Sequence, residues 1–288
     1  MSETRTLGVL GGSGLYEMPG LEILGERRVE TPFGAPSDAV VEGKLGETRM
    51  LFLPRHGRGH RIAPHEINYR ANVFALKVLG AEQIVSLSAV GSMREELAPG
   101  MLVTIDQHID RTRMRASTFF EGRGIVAHVS VADPIDDALR RALYAAAVKA
   151  GGKVRDKGVY VCIEGPQFST RAESEAHRKD GADVIGMTNV TEAKLAREAE
   201  LPFAALAMVT DYDCWHPSEA AVDVATVVAV MKHNAELAIE TLRVISQALP
   251  DPKASPATRA LAGAIMTAPS AIPADSRTAL MPLIERYL

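Results

Sequence analysis

The chain has 288 residues, 47% of them hydrophobic and 24% charged, a balance that fits a globular protein long enough to bury a core without staples. Its 32 basic and 36 acidic residues leave a formal charge of −4, and no basic run is present, so charge gives no reason to expect nucleic acid or a membrane surface as partner. The two cysteines, Cys162 and Cys214, lack CxxC spacing and read as reduced core thiols; the first residues, MSETRTLGVLGG, contain no long apolar segment and no run approaches a membrane span, so a cytoplasmic protein is expected.

Short apolar runs alternate with helical patterns along the chain. TLGVLGG and MLFLP read as strands, EINYRANVFALKVLGA as a helix, and QIVSLSAV as the strand that follows it. ALRRALYAAAVKAGG is a helix with a glycine stop, and GVYVCIEGP is a strand. Thr170 and Glu173 have capping-box spacing at the start of TRAESEAHRKDG; Asn189 and Glu192 have it before VTEAKLAREA. ADVIGM and FAALAMVT are strands, and DVATVVAVMKHNAELAIETLRVIS is a long helix. The alternation predicts an α/β fold with a mixed, largely parallel twisted sheet flanked by helices. No Pro/Gly/Ser linker interrupts residues 6–248, so one domain over 1–249 is expected. Six prolines chop residues 250–288 into an extension, helical near 256–266 and 275–287, that packs on the body or a neighbouring subunit.

Several strand ends carry chemistry. GGSGL is a glycine-rich turn whose backbone amides, with the Ser13 hydroxyl, suit an anion as well as they suit a plain tight turn. RHGRGHRIAPH gathers Arg55, His56, Arg58, His60, Arg61 and His65; Arg is a planar fork for phosphate, while Gly57 and Gly59 break the helix that a zinc reading of the histidines needs. SLSAVGS offers the Ser88 hydroxyl and the Ala89 amide, against the blander reading of a strand-to-loop exit. Three further strand ends bear Phe168 and Ser169, Met187 and Thr188, and Asp211 and Asp213. In open α/β sheets ligands bind at such carboxyl ends, so together these residues suggest a small-molecule pocket.

The motifs GGSGLY, TPFGAPSD, PRHGRGH, INYRAN, GSMREELAPG, IDRTRMR, IEGPQFSTRAE, GADVIGMTNVTEAKLARE and TDYDCW resemble the trimeric 5′-methylthioadenosine phosphorylases of the purine nucleoside phosphorylase superfamily, over roughly residues 6–245. The resemblance implies a single α/β nucleoside phosphorylase domain, a homotrimer and no metal or cofactor. It implies inorganic phosphate as co-substrate and cleavage of methylthioadenosine to adenine and 5-methylthioribose 1-phosphate, a step of purine and methionine salvage. Carried over residue by residue, phosphate falls to Ser13, Arg55, His56, Ser88, Ala89 and Thr188. Met187 lies under the ribose, His128 reaches a neighbouring subunit's site, and Phe168, Ser169, Asp211, Asp213 and Val224 read the base and the 5′ substituent. Ser13 and Ser88 stand where many members have threonine, and both keep a hydroxyl.

Donor and acceptor logic gives the acids a purpose. Adenine offers an N6 amine donor and an N7 acceptor, so an ionised Asp can accept from the amine while a protonated one donates to N7. Asp211 and Asp213 can face one ligand if strand alternation persists to the tip. Asp211 is the candidate general acid, a role favoured by burial beside a second carboxylate. The related 6-oxopurine phosphorylases carry Glu where Ser169 stands, to accept from an N1–H that adenine lacks. Val224, Val227, Val228 and Met231 form one helical stripe, and the resemblance places Val224 against the alkylthio group. Two readings stay open beside this one: a 6-oxopurine or methylthioinosine phosphorylase, and a non-catalytic purine-nucleoside-binding module.

Overall fold

The structure, a computed structural model, describes residues 5–12, 14–217 and 224–288, the side chains of 224–228 excepted. In chain order the elements are β1 (Thr6–Gly11), β2 (Glu22–Arg27), β3 (Val40–Leu45), β4 (Thr48–Pro54), α1 (Tyr69–Val78), β5 (Gln83–Ser92), β6 (Leu102–Thr104) and β7 (Gln107–Asp110). There follow α2 (Asp137–Lys149), β8 (Val154–Arg155), β9 (Val159–Cys162), α3 (Arg171–Lys179), β10 (Val184–Gly186), α4 (Asn189–Glu198), β11 (Phe203–Asp211), α5 (Val224–Ile245), α6 (Ala274–Ala279) and α7 (Met281–Ile284).

Among the described residues, eleven strands form one mixed sheet in the order β2-β3-β4-β1-β5-β10-β9-β7, with β11 on β5 and then β6 and β8. The β1–β4, β1–β5, β5–β11, β9–β10, β7–β9 and β6–β8 pairs are parallel; β2–β3–β4, β5–β10 and β6–β11 are antiparallel. Side-chain alternation sends the strands into two cores on opposite faces. On β11, Ala204 and Leu206 join Leu139, Leu143, Ala238 and Leu242 of α2 and α5. Phe203, Ala205, Ala207 and Val209 join Leu76 of α1 and Leu195 of α4 on the other face. Leu261, Ile272, Leu280, Leu283 and Ile284 from the proline-rich extension lie in that second core.

Some local expectations need correction. The helix expected from Glu66 begins only at Tyr69, because Asn68 caps it by accepting from the Ala71 amide. Near 256–266 there is a short 3₁₀ turn over Pro256–Arg259, and the last stretch is broken into α6 and α7 by Pro282 at the start of α7. The Thr170–Glu173 capping box is formed on both sides. That of Asn189 and Glu192 is not: Thr188 is the N-cap and makes no side-chain cap bond, while both of the other side chains are drawn into tertiary hydrogen bonds.

Candidate active site

The central strand β5 is served by different neighbours along one edge. β1 pairs with it from Gln83 to Ser86, and β10 arrives only at Gly91 and Ser92, running the other way. Residues 87–90 therefore lie at a gap where strand order switches, the crevice in which open α/β sheets place ligands. Ser88 is buried, its hydroxyl without a hydrogen-bond partner among the described residues, and Ala89 beside it is exposed. The antiparallel course of β10 brings Met187 and Thr188 back along the same gap. Thr188 is buried at the N-terminus of α4 with its hydroxyl unused in capping, and such a terminus favours an anion.

Arg55 leaves β4 beneath this gap, with its side chain 3% exposed. It makes a forked pair with Glu192: Nε donates to Oε1 at 2.7 Å and Nη2 to Oε2 at 3.1 Å. Nη1 donates to the Leu87 carbonyl and Nη2 to the Leu10 carbonyl and the Ser86 hydroxyl. Of its five N–H donors, one on Nη1 has no acceptor among the described residues. Ser86 also donates to Glu192, Asn189 donates to Ser86, and His108 Nε2 donates to Asn189 Oδ1 at 2.7 Å. This buried network was missed in the sequence because capping-box spacing had accounted for Asn189 and Glu192, and the burial of His108 and Ser86 leaves no motif.

His56 follows Arg55. Its Nδ1 donates to the Ile62 carbonyl at 2.8 Å, its ring stacks on His60 at 4.3 Å, and burial pushes its pKa down to about 4. The neutral ring thus presents Nε2 as an acceptor. Ser13 lies outside the described residues, as does the side chain of Val224.

At the tip of β11 strand geometry stops at Asp211, so strict alternation does not aim the acids. Tyr212 turns, and Asp213 opens a 3₁₀ turn at φ +53°. The turn itself brings the two carboxylates together. The Asp213 amide donates to Asp211 Oδ1 at 2.8 Å and the Thr210 hydroxyl to Oδ2 at 2.7 Å. Both acids rest on Gly91 of β5, where a Cβ would stand 3.0 Å from Asp211 Oδ1 and 3.3 Å from Asp213 Cβ. Burial, opposed by a hydrogen bond from Ser174 and reinforced by the Asp211 charge, pushes the Asp213 carboxyl above its ordinary value. The Trp215 indole pins the turn by donating to the Ser92 carbonyl, with Arg178 stacked over its ring at 3.6 Å.

Ser169 joins this group: its carbonyl accepts from Cys214 Sγ, and its own hydroxyl is buried without a partner among the described residues. Met187 is half-buried, with Sδ where a Cβ on Gly165 would be 2.7 Å away. Two expected residues are not gathered in. The Phe168 ring is 83% exposed. His128 is exposed on a segment bridged to the extension through Ala127 and Ile265, and no described contact ties it to the acids or to Ser88.

A mixed sheet forked at β5, with an anion-ready gap beside a pair of acids, defines an α/β protein with a ligand crevice at a switch in strand order. The chain matches the Phosphorylase superfamily over residues 6–246 and belongs to that family. It is 52% identical over 285 residues, 99% of either chain, to the S-methyl-5′-thioadenosine phosphorylase of Geobacter sulfurreducens. With that of Hyperthermus butylicus it shares 51% over 248 residues, 85% of this chain and 89% of the relative. Among solved structures, a methylthioadenosine phosphorylase from an antarctic soil metagenomic library superposes with a TM-score of 0.91 at 46% identity, covering 98% of this chain and 99% of the other. The Schistosoma mansoni methylthioadenosine phosphorylase in complex with adenine gives 0.84 at 36% identity, covering 91% and 99%.

Proposed function

We propose that the chain cleaves S-methyl-5′-thioadenosine with inorganic phosphate, releasing adenine and 5-methylthioribose 1-phosphate. The observation that carries this reading is the gap in the β5 ladder, with the unpartnered Ser88 hydroxyl and Thr188 on one side and the two acids on Gly91 at the other. The near full-length likeness to curated S-methyl-5′-thioadenosine phosphorylases supports the choice of substrate.

In this mechanism phosphate sits against Ser13, Ser88, the Ala89 amide, Thr188 and the free Nη1–H of Arg55, with His56 accepting from a protonated phosphate oxygen. The sugar stacks over Met187. As the C1′–N9 bond breaks, its electron pair enters the purine ring, N7 takes a proton from Asp211, and a phosphate oxygen bonds to C1′. Asp213 accepts from the C6 amine. Before donating, Asp211 Oδ2 must be released by the Thr210 hydroxyl, which has a second acceptor in the Val90 carbonyl at 3.1 Å. Ser169 tolerates adenine N1, where a carboxylate would oppose its lone pair.

We place the working enzyme in the cytoplasm as a homotrimer, without metal or cofactor. Val126 and Met266, which flank the bridge beside His128, are exposed, and an interface there would carry His128 to a neighbour's site. Adenine release from methylthioadenosine is measured with and without phosphate. Release only with phosphate is expected; phosphate-independent release, or equal turnover of inosine, defeats the reading. Sedimentation of the purified chain tests the trimer.

A further inference from the structure

We propose that Arg115, outside the residues assigned above, is a positioning residue that sets the spacing between the loop bearing Phe168 and Ser169 and the turn bearing Met187 and Thr188. The proposal deepens the nucleoside reading and rests on it for the identity of the substrate.

The Arg115 side chain is 2% exposed, and each of its five N–H donors has an acceptor. Nε donates to Glu164 Oε1 at 2.7 Å. Nη1 donates to the Met187 carbonyl at 2.5 Å and to the Tyr69 hydroxyl at 3.0 Å. Nη2 donates to the Ile163 carbonyl at 3.2 Å and the Glu164 carbonyl at 2.5 Å. One guanidinium therefore ties the exit of β9, the exit of β10 and the start of α1. The Tyr69 hydroxyl passes the tie on by donating to the Pro64 carbonyl, in the loop that begins with Arg55 and His56.

Glu164 closes the clamp. Its second oxygen accepts from the amides of Arg113 and Met114, so Arg115 is held against its own segment. Immediately beyond Glu164 the two exits touch: Gly165, at φ +72°, faces Met187 Sδ so closely that a Cβ would be 2.7 Å away. The Met187 side chain packs on the bare Gly165 backbone, and the guanidinium holds the Glu164 and Met187 carbonyls on either side of that contact. A lysine offers three donors on a point charge and cannot span these five acceptors; the planar fork can.

The clamp is selective. Ser88 and Ala89 are fixed by the ladder of β5 on β11, in which Arg115 has no part. Loss of the guanidinium should displace the ribose and base contacts, with Thr188 beside them, and leave Ser88 and Ala89 in place.

Arg115→Met, Arg115→Lys and the milder Tyr69→Phe are compared with the wild type in steady-state kinetics and in hydrogen exchange. A displacement near 1 Å costs up to about a hundredfold, so KM for methylthioadenosine should rise at least about tenfold in both Arg115 variants. KM for phosphate, which keeps Ser88 and Ala89 but shares Thr188 with the displaced turn, should rise less than KM for methylthioadenosine, and Tyr69→Phe should shift the same ratio by less. Amides of residues 163–169 and 186–188 should exchange faster while β1 and β5 stay protected. Equal changes in both KM values, or exchange that rises throughout the chain, overturn the clamp. If Arg115→Met does not fold, Arg115→Lys and Tyr69→Phe carry the same comparison. A wild type that releases no adenine from methylthioadenosine defeats the substrate reading, and the exchange pattern still decides the clamp.

Discussion

Beneath the Ser88–Ala89 edge, Arg55 and Glu192 are almost fully enclosed and linked through Ser86 and Asn189 to His108, each contact doubled or shared. At the tip of β11 the acids are half-buried, and Asp211 is held by one amide and one hydroxyl that has an alternative acceptor. The first region is a rigid polar floor whose desolvated charges are matched inside the chain. The second keeps its groups available for exchange with a ligand. Proton transfer to a purine needs an acid that can change partners, whereas an anion site gains from donors that need no reorganisation when the anion arrives.

The contrast can be broken by removing one member from each side. Glu192→Ala leaves the Arg55 guanidinium buried without its partner and should cost about 3–5 kcal/mol in urea denaturation. A loss below about 1 kcal/mol would mean that water or rearrangement compensates the floor. Asp211→Asn should leave stability nearly intact yet lower turnover of methylthioadenosine by about 10²–10⁴, the usual worth of a general acid. The same variant should gain activity on inosine-type nucleosides; full activity on methylthioadenosine would remove Asp211 from the mechanism.

Finer variants sharpen the comparison. Ser169→Glu sets a carboxylate against adenine N1, a mismatch of about 1–3 kcal/mol, and should lower kcat/KM roughly tenfold to a hundredfold. Ser174→Ala removes the hydroxyl that holds the Asp213 carboxyl down, so the acid limb of kcat/KM should move to higher pH. The sign for stability follows from the raised folded-state value. The contribution of Asp213 is complete below the unfolded value of 3.8 and is lost as pH rises through the folded one, so Asp213→Asn should flatten that decline in a pH series of melts. Thr170→Ala, which removes the capping box under the helix carrying Ser174, should cost about 1 kcal/mol with activity little changed.

Much of the plan was legible in the residues. Apolar runs such as TLGVLG and FAALAMVT are buried on both faces and show as strands without neighbours being known. The strands β2, β3, β6, β7 and β8 were not anticipated. β2 is largely exposed, β7 is half-buried, and β6 and β8 have only three and two residues, so these four are made strands by their partners more than by their own pattern. Glu192 and Asn189 misled because capping spacing is local, while their side chains answer to Arg55 and Ser86 far away in the chain.

By itself the sequence determined the alternation of elements, the family and the chemical types at the strand ends, since periodicity and residue identity are properties of local segments. Only the tertiary structure decided that β10 runs backwards beside β5 and opens the gap at Ser88, and that a left-handed Asp213 brings the acids together where strand alternation does not. It also decided that Arg115 spends all its donors at the junction of two strand exits. Those outcomes depend on which backbone groups are left without partners once the sheet is assembled, and no stretch of chain carries that information alone.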